Sequence, residues 1–244
     1  MHREVFTFLL AFLLSVLAIE PLKRYQKRRR IGQYIREEGP DLHNYKTGTP
    51  TAAGIVFIPI ALAVASIFAF RAEILIVVIA GILFGLIGLV DDISKIVKRN
   101  ASGLSGKRKL ALQLVSAAFI VFLIQLVNPH THIEIPFLGK IGLGFAYYPI
   151  SALIIAGMSN AVNLTDGVDG LAASVYIFSL APMLALPVWQ NGLIAPISGA
   201  LAGFLWYNWF PASIFMGDTG SLSLGGIMAV IFALDGREGF LIFF

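Results

Sequence analysis

The sequence predicts an all-α polytopic membrane protein with about eight complete transmembrane helices, the start of a ninth, and a short external β-hairpin. Of the 244 residues, 57% are hydrophobic and 13% are charged, whereas a soluble domain averages about 25% charged residues. Apolar runs close to the ~20 residues that a helix needs to cross a bilayer recur along the chain. We therefore expect one integral membrane domain over residues 1–244.

The apolar runs predict where the helices lie. They cover residues 4–22, 51–70, 73–90, 110–128, 146–163, 171–188, 192–207 and 221–235, and a ninth run begins at Phe240. A basic stretch and no small-residue cleavage site follow the first run, which favours a retained helix over a signal peptide. The segment IEIPFLGKIGLG, with apolar alternation around Leu138-Gly139-Lys140, predicts the hairpin. The absence of cysteine excludes disulfides and cysteine-ligated metals.

The basic residues predict the orientation in the membrane. Fourteen of the 18 lysines and arginines lie in segments 22–50 and 91–109, and such segments stay on the cytoplasmic side. The N-terminus is then outside, and segments 160–170 and 208–220 are inside. For Arg28–Arg30 we favour an orientation role with attraction to membrane lipid. Because the basic charge flanks apolar spans, we expect no nucleic-acid partner.

The most informative polar residues stand three apart in the run NAVNLTDGVDG. Ionised groups near the bilayer cost a few kcal/mol unless they are paired or hydrated, so they need a use. A spacing of three places such residues on a related face of an α-helical or 3₁₀ segment. The run therefore predicts the wall of a wet polar cavity, formed by Asn160, Asn163, Asp166 and Asp169.

The other inside segments add acids and bases to the same face. Asp91 and Asp92 end the third apolar run, Lys107 follows, and Asp218 precedes the small, hydroxylated Thr219-Gly220-Ser221. That last tract resembles an anion-receiving helix N-terminus. Acids alone would suggest a cation pathway and bases alone an anion site, whereas both together suit a metal-bridged phosphate. Mg²⁺ is the metal that prefers such carboxylates and phosphates.

These motifs resemble those of the polyprenyl-phosphate N-acetylhexosamine-1-phosphate transferases. The matching tracts run in family order over nearly the whole chain: YIREEGPDLHNYKTGTPTAAG, GLVDD, NAVNLTDGVDGLA and IFMGDTGSLSLGG. The element HNYKTGTPT favours the muramoyl-pentapeptide branch over the branch that uses UDP-GlcNAc. The resemblance implies transfer of a phospho-sugar from UDP-MurNAc-pentapeptide to undecaprenyl phosphate with release of UMP, Mg²⁺ as cofactor, and a homodimer.

The resemblance also implies roles for individual residues. Asp91, Asp92, Asp218 and Lys107 are expected at the catalytic centre, with Asp218 and Asp92 as metal ligands. The expected substrate-binding residues are Lys46, Thr51, Asn160, Asn163, Asp166, Asp169, Asn208 and Phe215.

The C-terminal part departs from the family pattern. The family has a further cytoplasmic loop with a histidine-rich motif, and none of His2, His43, His130 and His132 forms it. We therefore expect a C-terminally truncated chain. Three alternatives stay open at this point: a GlcNAc-1-phosphate transferase, an inactive fragment of the transferase, and a cation-coupled transporter.

Overall fold

The computed structural model describes residues 2–32, 48–98, 102–180 and 191–243. In these ranges the chain forms eight α-helices, two short strands and two 3₁₀ helices. The α-helices are α1 (His2–Arg29), α2 (Gly54–Phe68), α3 (Ala72–Lys98), α4 (Gly106–Val127), α5 (Tyr147–Thr165), α6 (Leu171–Leu180), α7 (Asn191–Asn208) and α8 (Gly217–Ala233). The strands are β1 (His132–Ile135) and β2 (Gly139–Gly142), and the 3₁₀ helices are Gly144–Ala146 and Glu238–Phe243.

Each of the eight predicted spans overlaps one of these helices, although residues 181–188 of the sixth span lie outside the described residues. The apolar helices fit a membrane protein. In the described ranges, four are long and apolar enough to cross a bilayer: α1, α3, α4, and α5 together with its preceding 3₁₀ turn. The apolar helices α2, α6 and α8 are shorter as described. Eight complete crossings therefore remain a prediction.

Helix α8 is the centre of the bundle. All of its residues from Thr219 to Ala233 are buried, and apart from Thr219, Ser221 and Ser223 they are apolar residues or glycine. Neighbouring helices bind its backbone through hydroxyl groups, with Ser159 Oγ donating to Leu222 O at 3.0 Å and Tyr176 Oη donating to Leu224 O at 2.9 Å. Such contacts join helices where apolar surface alone gives little association energy in lipid.

The predicted β-hairpin is confirmed. Strands β1 and β2 pair antiparallel, with Ile133 opposite Ile141 and Ile135 opposite Gly139. The turn occupies residues 136–138, slightly before the predicted Leu138-Gly139-Lys140. Gly139 belongs to β2 and has a positive φ of 77°, which costs glycine little.

The prediction that a ninth helix begins at Phe240 is wrong for the described residues. Residues Glu238–Phe243 form a 3₁₀ helix. The chain turns at Gly236, where φ is +67°, and Glu134 N of β1 donates to Gly236 O at 2.6 Å. The segment after α8 therefore folds back on the hairpin instead of continuing along the bundle.

The two ends of α8 mark two different ends of the molecule. Its N-terminus lies against the C-terminal part of α3, and its C-terminus lies near the hairpin and the start of α5. At about 1.5 Å per residue, the 17 residues of α8 separate these ends by about 25 Å.

Candidate active site

Asp92 caps the N-terminus of α8 from a neighbouring helix. Its carboxylate accepts hydrogen bonds from Asp218 N and Thr219 N, both at 3.0 Å, and from Thr219 Oγ1 at 2.7 Å. The first turn of a helix has unsatisfied N–H groups and a partial positive charge. The predicted anion-receiving helix terminus is therefore present, and a carboxylate of α3 occupies it.

Asp218 carries its side chain away from this cap and towards two lysines. Lys95 Nζ lies 3.0 Å from Asp218 Oδ1 and 2.7 Å from Asp91 Oδ2, so one ammonium joins two carboxylates. Lys109 Nζ also contacts Asp218 Oδ2. The result is a compact cluster of three carboxylates and two ammonium groups between α3, α4 and α8, which we call the aspartate–lysine cluster (Asp91, Asp92, Lys95, Lys109 and Asp218).

Asp91 also organises the loop between α3 and α4. Its Oδ1 accepts from Leu104 N at 2.7 Å, and Lys98 Nζ donates to Gly103 O at 3.1 Å. Asp91 is only 3% exposed, while Lys95 and Asp218 are more open to solvent. A ligand arriving at the cluster would therefore meet Lys95 and Asp218 before Asp91.

The lysine that touches the aspartates is Lys109, two residues after the predicted Lys107. Lys107 is exposed on the first turn of α4. Residues two apart on a helix point in different directions, so the run Lys107-Arg108-Lys109 places one lysine at the cluster and another on the surface. The catalytic role predicted for Lys107 stays a prediction.

The stripe of Asn160, Asn163, Asp166 and Asp169 divides between neighbouring elements. Asn160 exchanges two hydrogen bonds with the buried Gln113 of α4, at 2.8 and 3.2 Å. Asn163 Nδ2 donates to Ser221 Oγ at 2.8 Å, in the first turns of α8. Helix α5 ends at Thr165, so the two aspartates lie in the turn that follows. The four residues therefore do not form the single polar wall that their spacing predicted, because they contact different elements.

Asn208 and Asp169 fasten the loops at this end of the bundle. Asn208 is 2% exposed; its Oδ1 accepts from Gly170 N and its Nδ2 donates to Ile214 O, both at 3.0 Å. Asp169 Oδ2 accepts from Ala212 N at 3.0 Å. Both predicted substrate-binding residues therefore hold segment 208–216 in place.

Two further predicted substrate-binding residues, Thr51 and Phe215, lie in the segments just before α2 and α8. Thr51 exchanges backbone hydrogen bonds with the side chain of Gln26, both at 2.9 Å. Phe215 N donates to Pro50 O at 2.8 Å, and Phe215 O accepts from Ala53 N at 3.0 Å. The segment before α2 is therefore attached to the segment before α8. Lys46 lies outside the described residues.

Sequence reasoning missed four polar residues that build this end of the molecule. Lys95 is spaced four residues from Asp91 on one helix, a spacing typical of ion pairs. Gln26, Lys109 and Gln113 have no such local pattern, because their partners are remote in sequence: Thr51, Asp218 and Asn160.

We expect Asp92→Asn to destabilise the fold by about 1–3 kcal/mol, because a neutral amide accepts fewer of the three hydrogen bonds and leaves helix N–H groups unsatisfied. Thermal unfolding in detergent micelles measures the loss. Thr219→Val removes only the hydroxyl bond and should cost less. A larger loss for Thr219→Val than for Asp92→Asn would contradict the capping role of Asp92.

Comparison with known families identifies the class of protein that has this fold and this cluster. Residues 74–235 match the family model described as glycosyl transferase family 4. That match covers more than half of the chain, and similar proteins align over nearly all of it. The chain therefore belongs to glycosyl transferase family 4, which makes it a transferase and disfavours the cation-transporter alternative.

Several similar relatives carry the name of one particular activity. A phospho-N-acetylmuramoyl-pentapeptide-transferase of Kosmotoga olearia is 56% identical over 245 residues, which cover 100% of this chain and 78% of the relative. Proteins of the same name from Petrotoga mobilis and Staphylococcus aureus are 44% and 43% identical. They cover 93% and 96% of this chain, and 74% and 77% of their own lengths.

Proposed function

We propose that the chain transfers phospho-N-acetylmuramoyl-pentapeptide from its UDP donor to undecaprenyl phosphate, releasing UMP and forming the first lipid-linked intermediate of peptidoglycan synthesis. The acceptor phosphate attacks the phosphorus atom that is bonded to the N-acetylmuramoyl group of the donor. The bond between that phosphorus and UMP breaks, and a new pyrophosphate bond forms. The names of the relatives support this proposal, as do the order and content of the family motifs.

The observation that carries the proposal is the aspartate–lysine cluster. A phosphate monoester is already mostly dianionic at neutral pH, so the larger barrier is bringing it to a negatively charged pyrophosphate. Lys95 and Lys109 supply two positive charges, which the cluster's own carboxylates offset. A bound Mg²⁺ would add the further positive charge that the phosphates need. Preorganised charges of this kind lower the barrier by stabilising the transition state and by aligning the reactants.

The cluster also suits a divalent cation. In the described part of the chain, no three His, Cys, Asp or Glu side chains come together as a metal-binding group. Mg²⁺ needs only one or two carboxylates, however, and completes its shell with water and phosphate. We propose Asp218 and Asp91, already joined by one ammonium, as the residues that would hold Mg²⁺, with Asp92 mainly supporting α8. When bound, Mg²⁺ would neutralise phosphate oxygens.

The remaining predicted residues would bind the nucleotide donor. The turn with Asp166 and Asp169, the amide of Asn163, and segment 213–216 all lie beside the N-terminal end of α8. We propose that Phe215, which is partly exposed, supplies an apolar face for the uracil ring. Asn208 and Asn160 position this region through their own hydrogen bonds.

An apolar groove supports a lipid acceptor. A cavity of about 440 Å³ opens between α2 and α3, and Thr219 lies at its edge next to Asp92. Its walls include Ile55, Ile82 and Leu86, which are about half exposed. An apolar chain could therefore approach the cluster from the lipid without moving charge through hydrocarbon.

We further propose that this end of the molecule faces the cytoplasm of a bacterial inner membrane, with the N-terminus outside. The charged nucleotide donor is cytosolic, and the basic segments favour that side. A homodimer is proposed from the family resemblance alone.

The proposed reaction is tested with the purified chain in detergent micelles. We expect label to move from UDP-MurNAc-pentapeptide to added undecaprenyl phosphate, with UMP released in equal amount and no transfer when Mg²⁺ is chelated. Label arriving from UDP-GlcNAc, with none from the muramoyl donor, would favour the alternative GlcNAc-1-phosphate transferase. A folded chain that binds neither donor would favour the inactive fragment.

A further inference from the structure

A second group of titratable side chains lies at the opposite end of α8 from the aspartate–lysine cluster. Glu238 follows α8 and is 2% exposed. Around its carboxylate stand Tyr147 and Ser151 from α5 and His130 from the loop before β1. We call these four residues the Glu238 cluster. The proposed transferase reaction uses none of them.

The Glu238 cluster forms one continuous hydrogen-bond chain. Tyr147 Oη lies 3.0 Å from Glu238 Oε1 and also 3.0 Å from His130 Nε2. Ser151 Oγ donates to the same Glu238 Oε1 at 2.9 Å. At the far end, His130 Nδ1 lies 2.8 Å from the backbone carbonyl of Asn128. Because a carbonyl only accepts, His130 Nδ1 carries a proton, and a neutral His130 has a bare Nε2.

When Glu238 is ionised and His130 is neutral, the hydrogen-bond chain of the Glu238 cluster has one proton too few. In that state the single phenol proton of Tyr147 lies between two acceptors, Glu238 Oε1 and His130 Nε2. One of the two 3.0 Å contacts would then lack a hydrogen. One added proton on Glu238 completes both hydrogen bonds, because the carboxyl then donates to Tyr147 Oη and the phenol proton is free for His130 Nε2.

The burial of the carboxylate favours the same protonation state. In the described part of the chain, Glu238 Oε2 has no hydrogen-bond partner although it is buried. An ionised oxygen without a donor in a buried place is costly. An added proton on Glu238 lowers that cost by neutralising the carboxylate.

We propose that the Glu238 cluster is a proton-binding site that fastens the turn after α8 to the hairpin and to α5. Among the described residues, other bonds also hold this turn: Asn128 Nδ2 donates to Leu234 O and Glu134 N donates to Gly236 O, both at 2.6 Å, and Arg237 lies 3.7 Å from the Glu134 carboxylate. With the proton bound, Glu238 completes this attachment. Without it, the buried carboxylate works against the attachment, and the segment opens more often.

Electrostatics at this end agree with proton binding. Burial is the largest effect on Glu238 and raises the pKa of its carboxyl above the ordinary value, while burial lowers the pKa of the neighbouring His132. His132 is therefore a poor counter-charge for Glu238. The other titratable or charged groups on the elements packed here are Glu134, Lys140, Tyr148, Asp235 and Arg237.

The direction in which stability changes with pH follows from the raised pKa of Glu238 in the folded chain. Above the ordinary glutamate pKa of about 4.3, the unfolded chain carries an ionised Glu238. The folded cluster holds one proton more, so its contribution to stability is present at low pH and is lost as the pH rises through the folded pKa. For one linked proton, the folding equilibrium falls by at most about tenfold per pH unit.

The test compares Glu238→Gln with Glu134→Gln as its matched control. A glutamine amide donates to Tyr147 Oη and frees the phenol proton for His130, so no added proton is needed. We expect the thermal unfolding midpoint of the unmodified chain in micelles to fall as the pH rises above the ordinary glutamate pKa of about 4.3 and through the raised pKa of Glu238. The fall should be clearly smaller for Glu238→Gln. Glu134→Gln also removes a contact of this turn, the one with Arg237 at 3.7 Å. Its unfolding midpoint should therefore be lower at every pH, while the fall with rising pH stays as large as in the unmodified chain.

A second measurement needs no variant. Hydrogen exchange of the Glu134 amide reports the bond to Gly236 O, while the Leu143 amide, bound to Thr131 O at 2.8 Å, reports the hairpin alone. We expect the protection of the Glu134 amide to fall with rising pH, relative to that of Leu143. Equal pH dependence of the two amides, or an unchanged fall in Glu238→Gln, would overturn the proposal.

Discussion

Gly88→Ala is expected to prevent stable folding, with a loss of about 3 kcal/mol or more. A Cβ at this position would overlap the backbone carbonyl of Asp218 and the amide nitrogen of Thr219. Both are backbone atoms at the start of α8, so no side-chain rotation can relieve the overlap. The helices would have to separate where Asp92 caps α8 and where Asp218 meets the lysines. Stability and activity should therefore fall together.

Gly85→Ala, one turn earlier on the same helix, is the matched control. A Cβ there would meet the Ser223 side chain at 3.7 Å, which is an ordinary contact. Thermal unfolding and hydrogen exchange in micelles should show a small change for Gly85→Ala and a large one for Gly88→Ala. Equal stability of the two variants would mean that α3 and α8 do not need their close contact at Gly88.

Asp218→Asn is expected to reduce turnover by about a hundredfold or more, and also to lower stability, because it leaves the half-buried Lys109 without its carboxylate partner. The asparagine side chain keeps the shape of the carboxylate but loses the charge that orients Lys95 and Lys109. It also removes the proposed main ligand of Mg²⁺. Rates of UMP release at saturating donor, together with unfolding midpoints, separate the two effects.

Asp235→Asn makes the same substitution at the other end of α8. It lies just after the helix, far from the aspartate–lysine cluster, and should leave turnover unchanged. An Asp218→Asn variant as active as Asp235→Asn would contradict the role of the cluster in the reaction. An inactive Asp218→Asn variant that is also unfolded would show only that the charge is needed for the fold.

The sequence predicted most successfully which residues lie together where the pattern is local. Asp91 and Asp92 end an apolar run, and Asp218 precedes a tract of small and hydroxylated residues, so charged groups near lipid already indicated a function. The structure brings these three aspartates together. It also confirms a helix N-terminus that receives an anion, although the anion is the chain's own Asp92.

The direction in which each polar side chain faces was harder to predict than the segment in which it lies. The spacing of three in Asn160, Asn163, Asp166 and Asp169 suggested one polar wall, but α5 ends before the aspartates and Asn160 faces Gln113. Likewise, the tract Lys107-Arg108-Lys109 contains the lysine at Asp218, but composition does not say which member reaches it. That choice depends on the rotation of α4 about its own axis.

The sequence by itself determined that this protein is a bundle of apolar helices with its acids and bases concentrated in a few connecting segments, because the cost of placing charge in hydrocarbon restricts where such residues can stand. Only the tertiary structure decided the partners. Asp92 caps a helix that begins more than a hundred residues later, and Lys109 and Asp218 meet although 109 residues separate them. Such pairings depend on how α3, α4 and α8 pack, which no local pattern specifies.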